Sequence, residues 1–373
     1  MRILVWYLHG GYMQAFLRGS HEYLVPAEPG RELPELPPNA RRIEPSEVAD
    51  AEIDVVVLQR TEELGWAEDM LGRRLGRDVP AIFIEHNTPK QSPVSERHFL
   101  ADRTDIPVVH VTHFNRLAWD SGDAPTVVIE HGIPDPGALY TGEERALGVV
   151  INEPVRRGRI TGTDLLPAFA SAGRLDCFGI HTDQLPEALG LGEDQLRVVG
   201  DLPTAHMHAA LARRRAYVHP MRWTSLGLSL LEAMYLGMPV LALATTEAAR
   251  AVPPEAGAIS ADPAELVATA DLLLADPDEA RRRGVIAREA VHSRYNLTRF
   301  LEDWDAVLAD TLDTRGRRGP LLAVPDLAVP DIAAASAVTA SVSRARGAHA
   351  ADSAPHDATP GAEPSLITEG IAR

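Results

Sequence analysis

Tyr217-Val218-His219-Pro220-Met221-Arg222-Trp223-Thr224-Ser225-Leu226-Gly227-Leu228-Ser229-Leu230-Leu231-Glu232 passes from a β run into a helix through a loop of small residues. The strand ends at His219-Pro220, and a helix is expected over residues 230–236, closed by Gly237. A loop built on Ser225, Leu226, Gly227, Leu228 and Ser229 presents unpaired backbone N–H groups at the positive end of that helix, a ready seat for a diphosphate. Glu232 falls in the first turns, within reach of a sugar hydroxyl on a nucleotide held there.

Residues 217–240 sit inside a longer alternation of apolar runs and helical patterns, the signature of βαβ units and a parallel sheet. Strands are expected over 2–8, 22–25, 54–58, 81–85, 108–112 and 126–130, several of them continuous aliphatic runs that suit strands covered on both faces. After the turn-rich crossing Ile133-Pro134-Asp135-Pro136-Gly137 a second series follows, over 147–152, 175–178, 196–199, 216–219, 239–242 and 257–260. Two Rossmann-like halves of about 150 residues each account for this. Helices are expected from Pro263, with Asp262 as N-cap, over 277–293, and over 297–312 with Phe300, Trp304 and Leu308 on one face. Past Thr314 the composition turns to Ala, Pro, Ser, Gly and Asp, which reads as a disordered tail over 315–373.

Composition narrows the function. With a net charge of −17 over 373 residues, the chain lacks the positive footprint of a nucleic-acid binder, so a phosphate site must be a local concentration of arginine. Lys90 is the only lysine and Cys177 the only cysteine, so an intramolecular disulfide and a thiolate metal cluster are both excluded. Cys177, at a strand end, reads as a buried structural thiol. The opening residues lack the pattern of a signal peptide, and no apolar run reaches the roughly 18 residues of a membrane span. A soluble, cytoplasmic protein is expected, with peripheral membrane contact left open and oligomeric state unread.

The run over 217–240 resembles the donor-site signature of retaining glycosyltransferase family 4. It matches at Pro220, Gly227, Leu228, Leu231, Glu232, Ala233, Met234, Gly237, Pro239 and Val240 with spacing preserved. The resemblance extends more weakly over residues 1–312. It implies an α/β protein of the GT-B fold, with two Rossmann-like domains facing across a cleft and a C-terminal helix returning to the N-terminal domain. The implied domains are an acceptor domain over 1–140, a nucleotide-sugar domain over 141–296 and a bracing helix over 297–314. His131-Gly132-Ile133 stands where the family often has Asn-Gly-Val. By resemblance, Glu232 binds the donor ribose. An earlier motif glutamate that contacts the donor sugar is replaced by Thr224, which keeps a hydrogen-bonding hydroxyl without a charge. The family's phosphate-binding arginine corresponds to Arg156 and its lysine to Thr161, with Arg157 and Arg159 available as substitute cations.

In His9-Gly10-Gly11-Tyr12, Gly10 and Gly11 would let backbone approach a ligand, or make a plain βα turn. His86, in Glu85-His86-Asn87-Thr88-Pro89, is expected at the carboxyl edge of the sheet against the transferring sugar. His110 and His113 would fall on opposite faces of a strand, which disfavours a metal pair. Arg213-Arg214-Arg215 is expected to end a helix over 205–213 on which His206 and His208 are surface or packing residues. The expected reaction is transfer of a sugar from a nucleotide diphosphate to an acceptor hydroxyl, with retention and with neither metal nor cofactor. The alternatives are a non-catalytic sugar-nucleotide-binding protein and a sugar-nucleotide epimerase or hydrolase. The first βα turn has no G-x-G-x-x-G for a nicotinamide cofactor, and Lys90 lies in the wrong half for pyridoxal phosphate.

Overall fold

The computed structural model describes residues 1–313, and the tail expected over 315–373 lies outside them. The first sheet runs β3-β2-β1-β4-β5-β6-β7, from β1 (Arg2–Val5), β2 (Glu22–Pro26), β3 (Ala40–Ile43), β4 (Val55–Leu58), β5 (Ala81–Glu85), β6 (Val108–His110) and β7 (Thr126–Val128). The second runs β10-β9-β8-β11-β12-β13, from β8 (Glu144–Val150), β9 (Leu175–Phe178), β10 (Leu196–Gly200), β11 (Arg214–His219), β12 (Val240–Leu243) and β13 (Gly257–Ser260). Every pairing is parallel. In both sheets the order reverses beside the first strand, the doubly wound Rossmann arrangement.

Alternation along each strand supplies two cores per sheet. Ile3 and Val5 join Val55, Val57, Ile82 and Ile84 on one face, while Leu4 and Trp6 join Val56, Leu58 and Phe83 on the other. Helices cover both faces, so no strand position can be polar without a partner, and the strands read as unbroken apolar runs. Strand β3 was not expected: Ala40-Arg41-Arg42-Ile43 lies at the sheet edge with both arginines exposed, so no hydrophobic run marks it. The strand expected over 2–8 stops at Val5, because the chain leaves the sheet to form the helix Gly10–Phe16.

The helix Leu297–Asp313 returns to the first domain. Its Phe300, Trp304 and Leu308 are buried in the same core as β1 and β4. The Trp304 indole donates to the Tyr12 hydroxyl at 3.1 Å and meets Phe16 edge-on at 4.9 Å. At the crossing, a Cβ on Gly132 would land on the Phe300 side chain, so glycine is what lets this helix close on the chain. Arg299 donates to the carbonyls of Glu130 and His131, both at 2.8 Å, and anchors the helix to the crossing.

The arginine triplet corrects the sequence expectation. The preceding helix is Thr204–Leu211, and Arg214 and Arg215 open β11 as buried residues. Arg214 is ion-paired with the fully buried Asp176 at 2.8 Å, and Arg215 donates to the Gly142 carbonyl at 2.7 Å. Their charges are consumed inside the domain rather than placed against a helix dipole.

Candidate active site

The carboxyl ends of the switch-point strands carry most of the expected site residues. In the first domain β1 and β4 lead into His9 and Gln59, and β5 into His86; in the second, β8 and β11 lead into the loops 151–162 and 220–227. That edge is where ligands of doubly wound sheets bind.

The loop 220–227 is built as expected, with a longer helix. Gly227 is the N-cap of the helix Leu228–Leu236, and Gly237 ends it at φ 88, a left-handed conformation that suits glycine. A Cβ on Gly227 would sit 2.8 Å from His219 Cε1, so the close approach of loop to strand also requires glycine. Burial pushes the His219 imidazole down to about 4, so it is neutral beneath the loop. The Tyr217 hydroxyl donates to Ser229 Oγ at 2.9 Å, which leaves the Ser229 proton for another acceptor. Glu232 Oε2 lies 3.5 Å from Nε2 of His208, a buried residue. His208 is therefore packed behind the glutamate, which the helix pattern did not reveal.

The three arginines separate into different environments. Arg156 is mostly exposed and is bound by Glu153 within its own turn. Arg159 pairs with Asp164 at 2.8 Å, and Asp164 is shared with Arg222. Arg157 makes no side-chain hydrogen bond or ion pair among the described residues, and its pKa is lowered by burial first and by Arg156 second. Thr161, at the lysine position, is fully buried, its hydroxyl bonded to the Gly158 carbonyl and to Thr163 Oγ1 at 3.1 Å each. The arginine loop is tied to the loop 220–227: the Arg222 amide donates to the Ile160 carbonyl at 2.9 Å, and a Cβ on Gly162 would fall on the Pro220 carbonyl.

On the facing side, Gly10 and Gly11 form the first turn of the helix Gly10–Phe16 rather than an open loop, with His9 ahead of them at φ 52. His86 stacks on His9 at 4.1 Å between ring centroids and meets Tyr12 edge-on at 4.7 Å. Its Nε2 is 2.9 Å from Gln59 Oε1. Burial, followed by the neighbouring His9 and His131, holds the His86 pKa well below the ordinary value. His131 is buried beside Tyr12 and is pushed down to about 4, chiefly by burial. The His110–His113 expectation needs revising in its geometry: His110 is a buried strand residue, whereas His113 begins the helix His113–Ala118, so strand alternation does not relate them. Among the described residues no group of three or more His, Cys, Asp or Glu is placed to hold a metal ion.

The two sides meet directly. A Cβ on Gly11 would be 2.9 Å from Leu228 Cδ1, which brings the glycine turn against the helix Leu228–Leu236. Ser225 is buried with its hydroxyl 3.3 Å from Thr112 Oγ1, and Leu226 is buried in the second domain's core. The Trp223 indole donates to the Pro89 carbonyl at 2.8 Å, with its ring edge-on to Phe114. Between these anchors Thr224 is partly exposed, and its side chain makes no hydrogen bond with the described residues. Glu247, almost fully buried, accepts the Phe114 amide at 2.8 Å and so caps a first-domain helix from the second domain. Gln59, Trp223 and Glu247 were not singled out from sequence. Gln59 follows β4 at the ligand edge and could have been flagged by position alone; Glu247 carries no local signal.

Residues 184–290 match the family model described as glycosyl transferases group 1. No curated protein matches the chain. Sucrose-phosphate synthase from Thermosynechococcus elongatus is similar in structure over 84% of this chain and 100% of its own, with a TM-score of 0.65 at 15% identity. HepE from Anabaena, solved in complex with UDP, is similar over 83% of this chain and 100% of its own, at TM-score 0.62 and 15% identity. A glycosyltransferase from Rickettsia africae is similar over 83% of this chain and 98% of its own, at TM-score 0.60 and 13% identity. At such identities the likeness speaks for the fold, which is that of the GT-B glycosyltransferases. The stretch matched by the glycosyl transferases group 1 model carries Gly227 and Glu232, and it lies in the second of the two Rossmann-like domains of a GT-B fold.

Proposed function

We propose that the protein is a retaining glycosyltransferase of family 4 that moves a sugar, of the hexosyl class, from a nucleotide diphosphate to an acceptor hydroxyl. The observation that carries this reading is Arg157, a half-buried cation with no side-chain hydrogen bond or ion pair among the described residues, in a loop tied to the one that leads into the glycine-capped helix bearing Glu232. A leaving diphosphate would take its charge stabilisation from Arg157, the first N–H groups of the helix Leu228–Leu236 and the Ser229 hydroxyl. Glu232 would accept from the ribose. His86 and Thr224 would flank the sugar from opposite sides, and the first domain would position the acceptor hydroxyl. The reading assigns no metal and no cofactor to the chemistry, and a cytoplasmic location goes with it. UDP is the first nucleotide to try, since HepE was solved with UDP and with UDP-glucose.

Thr224, uncharged and unbonded, favours one second reading, a sugar-nucleotide-binding protein without turnover. A calorimetric and product screen with UDP-, GDP- and ADP-sugars separates the two. Transfer or slow hydrolysis, with the anomeric configuration of the product read by NMR, is the expected result. Binding without either reaction supports the second reading, and no binding by any nucleotide removes both.

A further inference from the structure

Gln59 holds more information about the cleft than its position suggests. Its side-chain nitrogen is 2.7 Å from the Trp6 carbonyl, a group that can only accept, so the amide NH2 must face Trp6. The amide oxygen therefore faces His86 Nε2 at 2.9 Å, and an oxygen there can only accept. The proton of His86 must then sit on Nε2. The backbone amide of Gln59 donates to Glu63 Oε2 at 2.6 Å, which pins the residue between β4 and the helix Glu63–Leu71. The ring has little freedom to turn, held by His9 at 4.1 Å on one side and by Tyr12 edge-on at 4.7 Å. His86 Nδ1 has no partner among the described residues and is not among the buried unpaired atoms.

We infer that Gln59 is a positioning residue that locks His86 in the Nε2–H tautomer, so that Nδ1 offers a lone pair to a substrate hydroxyl. The groups that face the His86 ring are Gln59, Tyr12, His9 and His131, and none is an anion that would favour an imidazolium. A lone pair accepts from O–H and repels a phosphate or carboxylate oxygen. The group seated at His86 is thus a neutral hydroxyl, while the phosphates belong with Arg157. The substrate half of this inference rests on the sugar-transfer reading; the tautomer half does not.

The test is nitrogen-15 NMR of the ligand-free protein, with the His86 signals assigned by their loss in His86→Asn. Wild type is expected to show one neutral tautomer, protonated at Nε2, at pH 7 and still at pH 6. A proton on Nδ1, or an imidazolium at pH 7, overturns the inference. In Gln59→Met, close in size but unable to bond, the His86 signature is expected to become an average of the two tautomers at an unchanged melting cooperativity. An unchanged signature overturns Gln59 as the cause. With a donor identified by the nucleotide-sugar screen, Gln59→Met is expected to lower kcat/KM about tenfold, the worth of one misplaced hydrogen bond. The Kd of the bare nucleoside diphosphate, which lacks the sugar hydroxyls, is expected to stay within twofold. An equal loss in that Kd would show that Gln59 merely supports the cleft. Failure of the donor screen leaves the NMR outcome standing on its own.

Discussion

Replacing Arg157 by methionine is expected to move folding stability and ligand affinity in opposite directions. The guanidinium is partly withdrawn from water, has no carboxylate bonded to it, and has Arg156 as its neighbour. Its pKa is lowered in the folded state, so at neutral pH, where it is charged folded and unfolded alike, the charge opposes folding. Methionine keeps the buried stem and removes the charge, and stability is expected to rise by up to about 1 kcal/mol, a figure reduced from the buried case because the group still meets solvent. If the cation is retained for a diphosphate, the same change removes charged hydrogen bonds worth about 1.5–3 kcal/mol, or roughly a 10- to 150-fold rise in the Kd for UDP. Arg156→Ala is the control. Its ion pair with Glu153 is largely exposed and screened by solvent, so little change in stability and under about threefold in affinity are expected. Thermal melting and titration calorimetry on the three proteins give both quantities. A less stable Arg157→Met, or one that binds UDP as wild type does, would refute the assignment of this cation to ligand.

Three further outcomes follow from the same structure. Glu232→Ala is expected to weaken UDP binding by about 1.5–3 kcal/mol in calorimetry, and an unchanged Kd would show that Glu232 is not at the ribose. Trp304→Ala removes a buried indole, its bond to Tyr12 and its edge contact with Phe16, and is expected to cost about 3–5 kcal/mol in denaturant unfolding. Loss below about 1 kcal/mol would mean that the helix Leu297–Asp313 does not brace the first domain. The third concerns pH. His86, His110, His131 and His219 are all held neutral by burial, with pKa values below the ordinary 6.5. The unfolded chain binds these protons first, so stability is full above about pH 6.5 and is lost as pH falls from there toward about 4. Together the four give a slope of up to about 5 kcal/mol per pH unit, offset in part by Glu63, whose carboxyl is pushed up to about 7 by burial. A melting temperature flat between pH 7 and pH 5 would contradict this.

The sheets were legible in the sequence because helices bury them on both faces, which forces aliphatic runs such as Val55-Val56-Val57-Leu58. An edge strand escapes that pressure, and Ala40-Arg41-Arg42-Ile43 is invisible for that reason. Helix starts were legible where a local cap marks them: Asp262 accepts the Ala264 amide at 2.9 Å as its place ahead of Pro263 implied. Polar residues whose partners lie far along the chain were not legible. Arg214 looks like a helix terminus until Asp176, from a neighbouring strand, is seen to neutralise it. Glu247 looks like a surface residue until it is found capping the Phe114 amide of the other domain.

The same distinction separates the parts of the site. The loop 220–227 and the helix after it are written in local chemistry, glycine, small residues and a glutamate at a fixed offset, and are legible in the sequence for that reason. The contacts that bring them to the first domain are non-local: Trp223 to the Pro89 carbonyl, Ser225 to Thr112, and Leu228 to Gly11. They fasten the residues on either side of Thr224 and leave Thr224 itself unbonded. A loop clamped at both flanks places the middle residue without any bond of its own, so the hydroxyl of Thr224 is held beside the first domain with its hydrogen-bonding capacity unspent. Under the proposed function, Thr224 offers a neutral hydroxyl where the resembled motif has a carboxylate. The sugar group that meets it would be recognised by a single neutral hydrogen bond, as it would be at His86 on the facing side.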